Sequence, residues 1–224
     1  VYKRKVFGAT SNINSNNDVK TVSINIDFED LTYLMDETLN LNIAIKVNGE
    51  FNVIWRSVSA PNLTQIMEFQ WSPVFQVFGA EETGEMEIPE VDIDTNVVNI
   101  ALGQDVVFGV NEILATPVVG NNPNAIGFTN NSGELINPAL AQQLTLAGSS
   151  QAITSIYYAD NLLLGGQSEI IIPTQEVLLW FESNTSTGEI FRTQPIALST
   201  IVDLTNVSSL TLNFSNMQWS TSQN

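Results

Sequence analysis

The chain has no histidine and no cysteine, and from Ser57 to Asn224 a single basic residue, Arg192, stands against seventeen carboxylates. Without imidazole or thiol it cannot build a Ser-His-Asp or Cys-His nucleophile system. It also cannot form a zinc site with nitrogen or sulfur ligands, a haem with a histidine or cysteine axial ligand, or an iron–sulfur cluster. Carboxylate chemistry or no chemistry remains. The absence of cysteine argues against a disulfide-stapled scaffold, although a chain of this size needs no staples, so the compartment stays open. Scarce lysine and arginine exclude nucleic acid as a partner, because phosphate binding is driven by cationic side chains. No apolar run approaches the ~18 residues of a membrane-crossing helix, so no transmembrane segment is expected.

What is present is a 224-residue chain with 43% apolar residues, 14% charged residues and a net charge of −17. That balance is too apolar for an acidic disordered tail and suits one large domain with its own core. Six of the seven basic residues precede Ser57, with Lys3, Arg4 and Lys5 adjacent. We divide the chain into a basic N-terminal arm, 1–19, and a single β domain, 20–224. The arm is read as a solvated tail or as a contact to a neighbouring acidic copy. The chain begins at Val1 rather than Met, which fits an upstream segment removed or left out. Five Asn-x-Ser/Thr sequons, at Asn62, Asn130, Asn184, Asn206 and Asn213, match what chance gives in an Asn/Ser/Thr-rich chain.

Apolar periodicity is two almost throughout. Val22, Ile24, Ile26 and Phe28 alternate with polar residues and predict a strand. Leu31, Leu34, Met35 and Leu39 stand at helical spacing behind Asp30. Leu39 to Val47 alternates again and meets Asn48-Gly49, the pair suited to a type I′ turn, with Phe51–Ser57 as the expected return strand. Further strands are expected at Gln65–Phe78, Glu85–Asp94, Val97–Ala101, Val106–Val110, Ala152–Tyr158, Glu169–Ile172, Val177–Glu182, Glu189–Ile196, Thr200–Leu204 and Leu210–Phe214. Pro73 predicts a bend, bulge or edge in its strand. Pro117–Gly133 is expected to be a long surface loop, Gly165-Gly166 and Asn184–Gly188 hairpin loops, and Asn137 to Gly148 a short capped helix. The fold class is all-β: a single β-sandwich of Greek-key or jelly-roll type with one or two short helices.

Four features bear on function. Seven acids crowd Glu81–Asp94, and Asp92, Asp94 and Asn96 imitate the opening of a calcium loop; calcium is the one cofactor considered, with a solvated edge strand as the alternative. Glu68 and Glu182, in apolar strands, are the carboxylates best placed for glycoside hydrolysis, or simply solvent-facing positions of those strands. Among the aromatic residues, Trp71 and Trp180 read as core. Tyr157 and Tyr158, beside Asp160 and Asn161, read as a carbohydrate-binding candidate, since adjacent strand residues face opposite ways and one ring should lie outside. Finally, strands with few lysines, and the apolar triplets Leu162–Leu164 and Ile170–Ile172, suit self-association into a homo-oligomer or larger assembly.

Val47–Trp55, Phe69–Phe78, Ile100–Gln104, Ile170–Pro173, Leu179–Glu182, Thr187-Gly188 and Val202–Leu204 together resemble small acidic all-β proteins of fungi and some bacteria. The resemblance extends over about three quarters of the chain. It implies a sandwich and a role without catalysis, and supplies no site residues. The expectation is a non-catalytic structural or interaction protein, self-associating through its sandwich. The alternative is a lectin-like or membrane-targeting recognition module.

Overall fold

Among the described residues the period-two pattern is realised as sixteen strands, with 55% of those residues in strands and 6% helical. The computed structural model describes residues 19–85 and 88–222. In chain order the elements are β1 (Lys20–Ile26), α1 (Phe28–Asp36), β2 (Asn40–Val47), β3 (Arg56–Val58), β4 (Ile66–Glu85), β5 (Ile88–Ile93), β6 (Val98–Ile100) and β7 (Gln104–Phe108). They continue as β8 (Val118–Val119), β9 (Ile126–Asn130), β10 (Asn137–Leu146), β11 (Ala152–Tyr158), β12 (Ser168–Ile171), β13 (Pro173–Glu182), β14 (Ser199–Asp203), β15 (Ser209–Ser215) and β16 (Gln218–Thr221).

Three sheets pack together as an all-β, sandwich-like fold that does not close into a barrel. The largest runs β11-β10-β4-β1-β15-β16, with β5 and β6 also on β4; the others run β14-β13-β2-β3 and β12-β9-β7-β8. Two pairings, β1–β15 and β7–β9, are parallel. One continuous apolar core draws on all three sheets and includes Phe69, Trp71, Ile43, Leu179 and Phe128.

The β2–β13 sheet is covered on both faces. Leu41, Ile43, Val177 and Leu179 face the main core, while Ala44, Leu178 and Trp180 lie beneath Phe51, Ile54 and Phe191. This explains the fate of the hairpin expected at Asn48-Gly49. The turn forms with positive φ at both residues, 51° and 87°, as a type I′ turn requires. Its return segment then leaves β2 to bury Phe51 and Ile54 on the outer face, and rejoins only at β3.

β4 is the spine. Along one side it pairs with β10, and along the other with β1, β6 and β5 in succession. Pro73 falls where the β4–β10 register shifts: Trp71 pairs with Leu144 but Phe75 with Gln142, so β4 bulges around the proline, which has no amide to give the ladder. The Gln142 side chain donates instead to the Ser72 carbonyl at 2.8 Å.

Several expectations need correction. The 137–148 segment is a strand: β10 lies between β4 and β11, with Ala139, Leu140, Ala141 and Gln142 fully buried, and a strand buried on both faces loses the alternation that identifies it. Pro117–Gly133 holds β8 and β9; β9 alternates buried Ile126 and Phe128 with Gly127 and Thr129, and pairs parallel to β7. Residues 189–196 contribute only bridges, Glu189 to Glu90 and Ile190 to Val53. Glu85–Asp94 is not one strand, since β4 ends at Glu85 and β5 starts at Ile88; Glu87 lies outside the described residues. Gly165-Gly166 connects strands of different sheets. The helix starts at Phe28, capped by Asp27 rather than Asp30, its carboxylate accepting from the Glu29 amide at 3.0 Å. Lys3, Arg4 and Lys5 lie outside the described residues.

Gly79 tests the packing. A Cβ there would sit 2.0 Å from Ile136 Cδ1 and 2.7 Å from Thr95 Cγ2, on the strand that serves four neighbours. Gly79→Ala is expected to lower stability by about 1–3 kcal/mol, the usual penalty of overpacking, read as a reduced urea midpoint with unchanged slope.

Candidate functional site

β3 is three residues long, and the edge it leaves is covered by residues 185–189 rather than by another strand. Asn42, fully buried on the outer face of β2, accepts from the Thr185 hydroxyl at 2.9 Å. Asn40 donates to the Thr185 carbonyl at 3.1 Å and accepts from the Ala60 amide at 3.1 Å, tying two loops to one side chain. Ser57 donates through its hydroxyl to the Thr185 carbonyl at 3.2 Å and through its amide to Thr187 Oγ1 at 2.9 Å. These bonds hold one wall of a recess of about 460 Å³; Leu146–Ser149, at and beyond the end of β10, form the other, and the 3-10 turn Ala60–Asn62 contributes Asn62 at its rim.

Arg56 enters this recess. It pairs with Ile43 and Ser57 with Asn42, so Arg56 shares the inner face of the sheet with Val58 while Ser57 faces outward. Its Nε is buried without a hydrogen-bond partner, and among the described residues no carboxylate pairs with the guanidinium. The other cations of the body are engaged: Lys46 with Glu176 at 3.0 Å, Arg192 with Glu82 at 2.6 Å, and Lys20 with the Val207 carbonyl at 3.0 Å. Glu82 raises the Arg192 pKa further above its ordinary value. In a chain of net charge −17, an arginine without a counter-ion in a polar recess is the feature that ordinary folding needs least.

The residues singled out from the sequence are distributed otherwise. Tyr157 and Tyr158 are both buried, at 7% and 5% exposure, so neither ring offers a stacking surface. Both faces of β11 are covered: the Tyr157 hydroxyl donates to Glu169 Oε1 of β12 at 2.5 Å, and Asn52 donates to the Tyr158 carbonyl at 2.6 Å. Asp160 and Asn161 are exposed, and the four do not form one site. Burial, followed by Glu169, raises the Tyr157 pKa, and burial raises that of Glu169 against the opposing hydrogen bond.

Asp92 is exposed on β5 and accepts from the Ile93 amide at 2.8 Å; Asp94 is exposed beyond the strand. The Asn96 amide is spent on the backbone of Leu114, donating at 3.1 Å and accepting at 2.8 Å. Among the described residues no group of three or more acids has the spacing to hold a metal. Glu68 accepts from Ser23 and Gln70, and Glu182 from Trp180 Nε1 at 2.8 Å; they stand on different sheets, outside the recess. Trp71 and Trp180 are core, at 3% and 1%. Glu189 accepts from the Ser186 amide at 2.8 Å, and burial first, with Glu182 and Glu90 behind it, raises its pKa.

Sequence reasoning passed over Arg56. Its signal was available: one base in the apolar run Phe51–Val58, in a chain with seven bases in all. Comparison with protein-family models, curated proteins and solved structures finds no match, so no relative assigns a role to any of these residues.

Two outcomes follow from this geometry. Arg56→Met removes a buried donor that has no partner, so stability is expected to stay level or rise by up to about 1 kcal/mol in thermal or urea unfolding, unlike the loss produced by breaking a satisfied pair. Glu169 has a folded-state pKa above its unfolded one, so its contribution to stability is present below the ordinary carboxylate range and is lost as pH rises through the folded value. Glu169→Gln has no such titration. The urea midpoint of the parent relative to this variant is therefore expected to fall between pH 4 and pH 7.

Proposed function

We propose that the protein is a non-catalytic recognition module that takes a small polyhydroxylated ligand, of the carbohydrate class, in the recess beside β3. The observation carrying this reading is the recess itself: about 460 Å³, within the range of small-molecule sites, walled by hydroxyl and amide groups that a hydrogen-bond network holds in place. Preorganised polar walls reduce the ordering cost of binding and suit a ligand with many hydroxyls. The lectin-like role thereby moves from the buried tyrosines to the β3 edge.

The test is a panel of immobilised neutral and acidic oligosaccharides probed with the parent and with Ala147→Trp. Ala147 is exposed and lines the recess, so an indole there fills the space without disturbing the core. Binding to a subset of the panel, weakened at least tenfold by Ala147→Trp at unchanged melting temperature, is the expected result. Binding indifferent to the filled recess places the ligand elsewhere and ends this reading.

Self-association is a second reading, favoured by one surface. The Ile136–Leu163 bridge turns those two side chains inward and sets Leu135, Leu162 and Leu164 on the outer side, exposed at 52%, 52% and 51%. Light scattering from pH 4 to 8, with and without millimolar calcium, is expected under this reading to give a defined assembly that Leu164→Lys dissociates. A monomer under every condition removes it.

A further inference from the structure

Resting on the recognition reading, we infer that the recess selects ligands carrying an oxyanion, a carboxylate or sulfate borne on a saccharide, and that Arg56 is its anchor. Several groups of the site keep an unspent donor. Ser59 Oγ accepts from Asn62 Nδ2 at 2.8 Å and Thr187 Oγ1 accepts from the Ser57 amide at 2.9 Å, so neither hydroxyl has committed its own proton. The Arg56 Nε–H is buried without an acceptor, and the remainder of this half-buried side chain's guanidinium makes no hydrogen bond or ion pair among the described residues. Among the described residues lining the recess none is acidic, in a chain with 24 carboxylates. A set of unspent donors around one guanidinium calls for an acceptor-rich ligand, and the planar fork of arginine matches a carboxylate or sulfate in two parallel hydrogen bonds.

The lining also contains no aromatic residue among those described. A neutral sugar bound without a ring to stack on relies on exchangeable hydrogen bonds alone, each of which replaces one already made to water. An oxyanion paired with a partly buried guanidinium supplies the missing free energy. The charge of the body sets the other limit. A net charge of −17 repels extended polyanions, so the ligand is a short saccharide with one or two charges that interacts at close range, where a partly buried pair escapes most screening.

The experiment compares, by calorimetry on the full chain, a hexuronic acid disaccharide, a monosulfated disaccharide, their neutral counterparts and inorganic sulfate, with the parent, Arg56→Lys, Arg56→Gln and Thr187→Val. The expected result is at least tenfold tighter binding of the acidic saccharides than of the neutral ones. That preference is abolished in Arg56→Gln, largely lost in Arg56→Lys, which keeps the charge without the fork, and weakened severalfold in Thr187→Val, with melting temperatures confirming that each variant folds. Equal binding of neutral and acidic saccharides that ignores Arg56 overturns the oxyanion inference and leaves the recognition reading standing. No saccharide binding at all overturns both. Inorganic sulfate binding as tightly as the sulfated disaccharide overturns the saccharide part, because the hydroxyl walls then contribute nothing.

Discussion

The register of β4 is the constraint on which the rest of the molecule depends. One strand from Ile66 to Glu85 carries β10 along one side and three separate strands along the other, so its alternation decides what faces the core in five elements at once. A slip of one residue would turn Phe69, Trp71 and Val77 outward together with the partners they align. Pro73 protects against such a slip. It sits at the bulge where β4 and β10 change register, and the Gln142–Ser72 hydrogen bond closes the gap that the missing amide leaves. The bend allows one strand to serve both ends of the large sheet.

Coverage of sheets on both faces follows from this layout and accounts for what the sequence did and did not disclose. β1, β2, β11 and β15 were legible from their β-branched and aromatic residues and, in β1, β2 and β15, from sequence alternation, even though β2 and β11 are covered on both faces, and the Asn48-Gly49 turn has the predicted backbone. β10 was not legible, because Ala139, Leu140, Ala141 and Gln142 are all buried and their spacing imitates a helix. β9 hid in a Gly/Asn/Pro-rich stretch because neither of its partners, β7 in parallel and β12 beyond β10 and β11, is joined to it by a tight turn; no local turn announces it. The same cause defeated the reading of Tyr157 and Tyr158. Alternation sends the two rings to opposite faces of β11, but structure covers both faces and both rings belong to the one main core.

The recess was illegible for a different reason. Asn40, Arg56, Asn62, Leu146 and Thr187 come from five separate segments, and each alone is an ordinary edge or loop residue. What joins them is the departure of residues 51–54 from the sheet, which leaves β3 short and its edge to be covered by the loop after β13. The short edge, the amides of half-buried Asn40 and fully buried Asn42 that pin the loop, and the arginine with no counter-ion among the described residues thus all follow from one event, the burial of Phe51 and Ile54 over Trp180.

The parallel pair of β1 and β15 sets a condition on how the chain reaches this state. Thr21 aligns with Ser209 and Ile26 with Phe214, so the centre of the large sheet joins segments almost two hundred residues apart. Closing so large a loop costs entropy before any contact repays it, and a topology dominated by distant pairings folds slowly. During synthesis β1 emerges early and its outer edge has no partner until β15 leaves the ribosome. Over that interval an apolar strand flanked by β4 offers an open ladder to other chains. The high negative charge, which contributes little to the packed core, keeps nascent copies apart until the last strands arrive.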